Sequence, residues 1–127
     1  MLLKHLKKGH MLGLLPDQVP GHQGEFVLAD WFGKSAKTMT LPVKLLQQSG
    51  AGLVLAFGKR VNASHRFELY FEVIDPPNES DIQSDVQWIN MQMERLIRMA
   101  PEQYVWSYNR YKGADEIILT HASEVQS

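Results

Sequence analysis

The side chains able to do chemistry are unevenly placed in this sequence. Asp17 and Gln18 follow an apolar run, Met11 to Leu15, and Pro16, and they open a stretch broken by Pro20, Gly21, Gly24 and Gly33. A polar pair at a strand end, leading into a glycine-rich loop, is how scaffolds present functional groups. At such a place a carboxylate either caps the loop by accepting backbone N–H bonds or holds a cationic group in a cleft. Arg60 stands just past an apolar strand, where a guanidinium can meet a phosphate or carboxylate, or make a surface ion pair. Arg110 and Lys112 close the aromatic segment PEQYVWSYNRYK, where they can meet anionic head groups or pack as amphipathic side chains.

Other chemistries are poorly supplied. The five histidines, at 5, 10, 22, 65 and 121, show neither metal-ligand spacing nor a carboxylate at a local orienting distance. His22, inside the glycine-containing stretch, is either a solvated loop residue or an acid–base candidate. There is no Gly-x-Ser-x-Gly elbow and no phosphate-cradling glycine signature. The absence of cysteine excludes disulfides and thiolate-bound metals. With 13 basic and 14 acidic residues, no global charge attracts nucleic acid. An apolar fraction of 44% over 127 residues supplies the core of one domain, or part of one. The longest uninterrupted apolar run, Leu53 to Phe57, is far short of the ~18 residues of a membrane span.

These groups must be positioned by a small set of elements. Leu2, Leu3 and Leu6 at helical spacing, among Lys4, Lys7 and Lys8, predict a short basic helix ending at Gly9. His10 to Leu15 reads as a short central strand, and Leu14 to Thr40 as a long irregular loop. Thr40 as N-cap and Pro42 in the first turn start a helix that ends near Ser49-Gly50. Ala51 to Gly58 reads as a buried strand. Arg66 to Ile74 alternates Phe67, Leu69, Phe71 and Val73 with polar residues, and the loop between, Lys59 to His65, is too short for a helical crossover. The two strands should therefore pair antiparallel. After a loop over Asp75 to Ser80, Ser84 and Gln87 at capping-box spacing open the longest helix, which runs to about Ala100 with Val86, Ile89, Met93, Leu96 and Ile97 on its apolar face. Beyond Gly113 the pattern is weak.

Taken in order, LKKGHMLGLLPDQ, the Gly24 to Thr38 segment with Phe32-Gly33 and Ala36-x-Thr38, Arg60, Asn90 with Glu94, and PEQYVWSYNRYK resemble the C-terminal half of the bacterial lipid A biosynthesis lauroyl/myristoyl acyltransferases. The resemblance covers residues 1–112 as the C-terminal portion of a single acyltransferase domain and leaves 113–127 as a tail. It implies an α/β fold, part of a glycerolipid-acyltransferase-like architecture in which a mixed β-sheet is flanked by helices. It also implies transfer of a fatty acyl chain from acyl carrier protein to a hydroxyl of a Kdo-bearing lipid A precursor, at the cytoplasmic face of the bacterial inner membrane. No metal or organic cofactor is implied. Asp17 and Gln18 match the family's Asp-Gln pair near the active site. Arg60 and Arg110 match basic positions that meet acyl-donor or lipid phosphates, and Gly24, Gly33 and Thr38 would shape the loop lining the acyl pocket.

The resemblance implies as general base a histidine separated by four residues from an acidic one, and here the residues five positions after each histidine are His10, Leu15, Val27, Tyr70 and Gln126. The catalytic histidine and the membrane anchor are thus expected upstream of Met1, with this chain a fragment inactive alone. Orphaned strands would then leave apolar edges and faces exposed, making the isolated chain poorly soluble, oligomeric or reliant on a second chain. The alternative is a stand-alone, non-enzymatic lipid- or protein-binding domain.

Overall fold

The computed structural model describes residues 1–61, 65–78 and 81–126. The elements run α1 (Leu2–Lys7), β1 (Phe26–Trp31), β2 (Lys34–Met39), α2 (Leu41–Ser49), β3 (Leu53–Val61), β4 (Arg66–Ile74), α3 (Ile82–Met99), a 3-10 turn (Pro101–Gln103) and α4 (Ala114–Gln126). The α/β class is as expected. The strands, however, form two separate antiparallel pairs, β1–β2 and β3–β4, in place of one mixed sheet.

The stretch expected as one irregular loop contains a hairpin. Glu25 and Thr40 close it through a backbone bond, and Phe26 to Trp31 pair with Met39 to Lys34 across a two-residue turn. Phe32 and Gly33 both take positive φ, 49° and 78°, the geometry that matches the right-handed twist of the flanking strands. The expected strand at His10 to Leu15 is irregular, with Met11 and Leu15 exposed. A strand is stable as a member of a ladder, and no described strand lies beside this one.

The second hairpin follows its sequence pattern. β3 and β4 pair in register from Leu53–Ile74 to Val61–Arg66, while residues 62–64 of the connecting loop and residues 79–80 before α3 lie outside the described residues. β3 is not the buried strand its apolar run suggested, since Leu55 is its only buried residue. α2 ends as read, on Gly50 in the left-handed conformation (φ 66°), but the Thr40 side chain makes no cap bond. α3 begins one turn earlier than the sequence suggested. Asp81 is the N-cap and accepts from both the N–H and hydroxyl of Ser84, which holds its carboxyl below the usual range.

Two small cores result. Ala29, Val43, Val86 and Ile89 join β1, α2 and α3, and Trp31, Ala36 and Ile97 join both strands of the first hairpin to the far end of α3. The weakly patterned tail is helical, with Ala114 as its one buried residue. No helix among the described residues is long and apolar enough to cross a membrane.

Candidate active-site wall

α3 carries two stripes, one apolar and one of amides and acids, and the second holds β1 in place. Gln83 Nε2 donates to the Leu28 carbonyl, and Gln87 takes both backbone groups of Asp30, accepting its N–H at 2.7 Å and donating to its carbonyl at 3.2 Å. Asn90 donates to the same carbonyl, and Glu94 accepts the N–H of Phe32 at 2.8 Å. Positions 83, 87, 90 and 94 follow the helical repeat, so a row of side chains occupies the outer edge of β1 where another strand would lie.

Behind this edge lies a buried polar knot centred on Thr38, which is 1% exposed. Its hydroxyl donates to the Ala36 carbonyl and accepts from Asn90 Nδ2 at 3.2 Å and from Arg110 at 3.0 Å. Arg110 is 2% exposed, donates also to the Lys37 carbonyl, and stacks its guanidinium 4.9 Å from the Trp31 ring centroid. No carboxylate among the described residues forms an ion pair with it. Burial accordingly lowers its pKa, opposed by the surrounding tyrosines and Asp17.

The aromatic segment that carries Arg110 packs around it. Tyr111 donates to the Trp31 carbonyl at 2.6 Å, Trp106 donates to the Pro101 carbonyl, and the Trp106 ring makes edge contacts with both Tyr104 and Phe32. The phenol of Tyr108 accepts the backbone N–H of Val19 at 2.8 Å. That single bond brings the Asp17-Gln18 segment against this cluster, across 89 positions of sequence. Asp17 is half-buried and acts electrostatically on Tyr104 and Arg110, whereas Gln18 is exposed.

The other site candidates are placed apart from this group. Gly24 closes a turn with Gly21, and Gly33 sits at the tip of the first hairpin. Arg60 is exposed on β3, over the Phe67 ring, with its backbone N–H and carbonyl both held by the Gln103 amide. His22 is exposed. Arg110 and Thr38 are internal braces of the first hairpin. The edge-binding row of α3 is no part of the expected site, and its signal in the sequence is a polar stripe beside an apolar one at the same period.

Burial raises the pKa of Tyr104, with Asp17 adding to it and Arg110 opposing; burial likewise raises Tyr111. A raised folded-state pKa means the associated stability is complete below the unfolded value near 10 and is lost as pH rises through the folded value. A phenolate absorbance titration should therefore show a late-ionising fraction that disappears in denaturant and shrinks in Tyr104→Phe. Superimposable native and denatured titrations would refute this.

Residues 1–113 match the model of the bacterial lipid A biosynthesis acyltransferases. The chain belongs to that family. It is 31% identical over 119 residues to the lipid A biosynthesis lauroyltransferase of Escherichia coli K12, covering 91% of this chain and 38% of that protein. It is also 30% identical over 105 residues to the lipid A biosynthesis acyltransferase of Haemophilus influenzae Rd, covering 82% of this chain and 32% of that protein. The chain thus spans about a third of the length of these relatives. The family match takes in both the Asp17-Gln18 segment and the aromatic segment that the Tyr108–Val19 bond joins.

Proposed function

We propose that this chain is the C-terminal portion of a lipid A acyltransferase domain and forms one wall of its acyl-transfer site. In this reading the whole enzyme moves a fatty acyl chain from acyl carrier protein to a hydroxyl of a Kdo-bearing lipid A precursor, at the cytoplasmic face of the bacterial inner membrane. Asp17 orients a cationic group at the lip of the cleft and Gln18 supports it, while the general-base histidine comes from sequence outside these 127 residues. The observation that carries the reading is the Val19 N–H to Tyr108 bond, which ties the segment of Asp17 to the aromatic and guanidinium support. A catalytic wall needs such support, because small errors in placement cost large factors in rate.

The experiment uses a labelled acyl chain on acyl carrier protein and a Kdo-bearing precursor. The 127-residue chain alone should transfer no label. A chimera in which it replaces the matching segment of the Escherichia coli lauroyltransferase should transfer it, and Asp17→Ala in that chimera should lower turnover. Turnover by the chain alone would overturn the claim that its base lies elsewhere, and a folded but inactive chimera would count against the assigned activity.

A further inference from the structure

Residues 11–24 carry Asp17 and Gln18, yet few bonds hold them. Two of those bonds are local, Gln18 N–H to the Leu15 carbonyl at 3.3 Å and Gly24 N–H to the Gly21 carbonyl at 2.9 Å. Among the described residues, the bond from Val19 N–H to the Tyr108 phenol, 2.8 Å, is the sole hydrogen bond from this stretch to another part of the chain. The local bond at Gln18 closes a turn over Leu15 to Gln18, with Pro16 at its second position and Asp17 at its third. Val19 is the next residue. Holding its N–H therefore holds the end of the turn that presents Asp17.

The other end of this tether is well fixed. Tyr108 donates its N–H to the Val105 carbonyl at 3.2 Å, and its own carbonyl accepts the N–H of Arg110 at 2.9 Å. Arg110 is in turn buried and bound to the Lys37 carbonyl. The Tyr108 ring is no part of the core: it is 43% exposed, and among the described residues no other aromatic ring stacks on it. What this side chain supplies is an oxygen on a rigid ring with two rotatable bonds, an economical way to hold a distant backbone group.

We propose that Tyr108 is a positioning residue for acyl transfer, acting through Val19 on Asp17. This rests on the assignment of Asp17 to the acyl-transfer site and adds the atom that keeps Asp17 in place. The phenol works as an acceptor, so its own proton takes no part. Magnitudes separate this role from a contribution to folding. Losing one neutral hydrogen bond at a half-exposed site shifts a local opening equilibrium by roughly tenfold, which leaves the fold standing. A displacement of about 1 Å at a catalytic group can cost about a hundredfold in rate.

Tyr108→Phe removes the oxygen and keeps the ring. In the 127-residue chain, amide exchange at Val19 should quicken roughly tenfold while the urea midpoint stays close to the parent's. In the chimera with the Escherichia coli lauroyltransferase, the same change should lower kcat roughly tenfold or more and leave KM little altered. The factor should be the same at every pH, since an acceptor needs no proton. On top of Asp17→Ala it should lower turnover no further, because the group it positions is gone. Unchanged exchange at Val19 would overturn the proposal whatever the chimera does. An unsubstituted chimera that folds but transfers no acyl chain would overturn the acyl-transfer reading and this proposal with it. An active chimera in which Tyr108→Phe keeps the parental turnover would overturn the proposal alone, as would an undiminished effect on top of Asp17→Ala.

Discussion

Trp31→Ala should remove a large share of the folding stability of this protein. Trp31 is the largest fully buried side chain, 1% exposed, and it lies where both strands of the first hairpin, α3 and the aromatic segment meet. Its ring packs on Ala36 and Ile97 and receives Phe32 at its edge and Arg110 over its face. Truncating a buried tryptophan costs about 3–5 kcal/mol, from lost burial plus the cavity left behind. Domains of this size have a total of only about 5–15 kcal/mol, so the loss is a large share of the whole. The cavity would not collapse easily, because Ala36 is already minimal and two of the ring's other neighbours, Arg110 and Tyr111, are tied by hydrogen bonds to the Lys37 and Trp31 carbonyls. Trp31→Phe should cost much less, as it keeps an aromatic face for Arg110. Urea unfolding followed by circular dichroism checks both variants, and a Trp31→Ala midpoint close to that of the parent would refute the central role of this residue.

What was legible in the sequence follows from how each signal works. The β3–β4 hairpin was readable because alternation in Arg66 to Ile74 reports a period of two and a short connection forbids a crossover. Its exposure was not readable, since alternation says which residues share a face and not whether anything covers it. The first hairpin was missed because β1 reads Phe-Val-Leu-Ala without alternation, β2 is largely polar, and Phe32-Gly33 is not a usual turn pair. The buried half of β2 rests on Ala36 and Thr38, small residues that carry little hydrophobic signal. α3 was found by its apolar stripe, but its first turn was not, as Ile82 and Gln83 precede the capping pair that marked the start.

The same limit explains the candidate site. Resemblance singled out Asp17, Gln18, Thr38 and Arg110 by type and order, and the fold does bring Asp17 into the field of Arg110. Their division of labour is a matter of burial, which no local pattern encodes. By type and order, Arg110 after its aromatics could meet anionic head groups or pack as an amphipathic side chain, and the sequence left both open. In the folded protein those aromatics close over it, and the cation serves the hairpin from inside.

Arg110→Ala is expected to destabilise the protein by about 2–4 kcal/mol, the balance of two opposed effects. Removing the side chain loses charge-assisted bonds to the Lys37 carbonyl and the Thr38 hydroxyl, together with the stack on Trp31. It also relieves the cost of keeping a guanidinium in a buried setting without an ion-pair partner among the described residues, which tempers the loss. Arg110→Lys should recover little, because an ammonium cannot span two acceptors and stack flat on the ring at once. Asn90→Ala removes the other donor to the same hydroxyl, so the two substitutions should not be additive. A double-mutant cycle should give a coupling of about 1 kcal/mol, within the range for residues sharing one hydrogen-bond network. Strict additivity in urea unfolding would show that Thr38 does not link them. In the active chimera, the same Arg110→Ala change should lower turnover at temperatures where the protein remains folded. The Tyr108 bond to Val19 hangs from the segment that Arg110 anchors, so losing the anchor frees the Asp17-Gln18 pair to move.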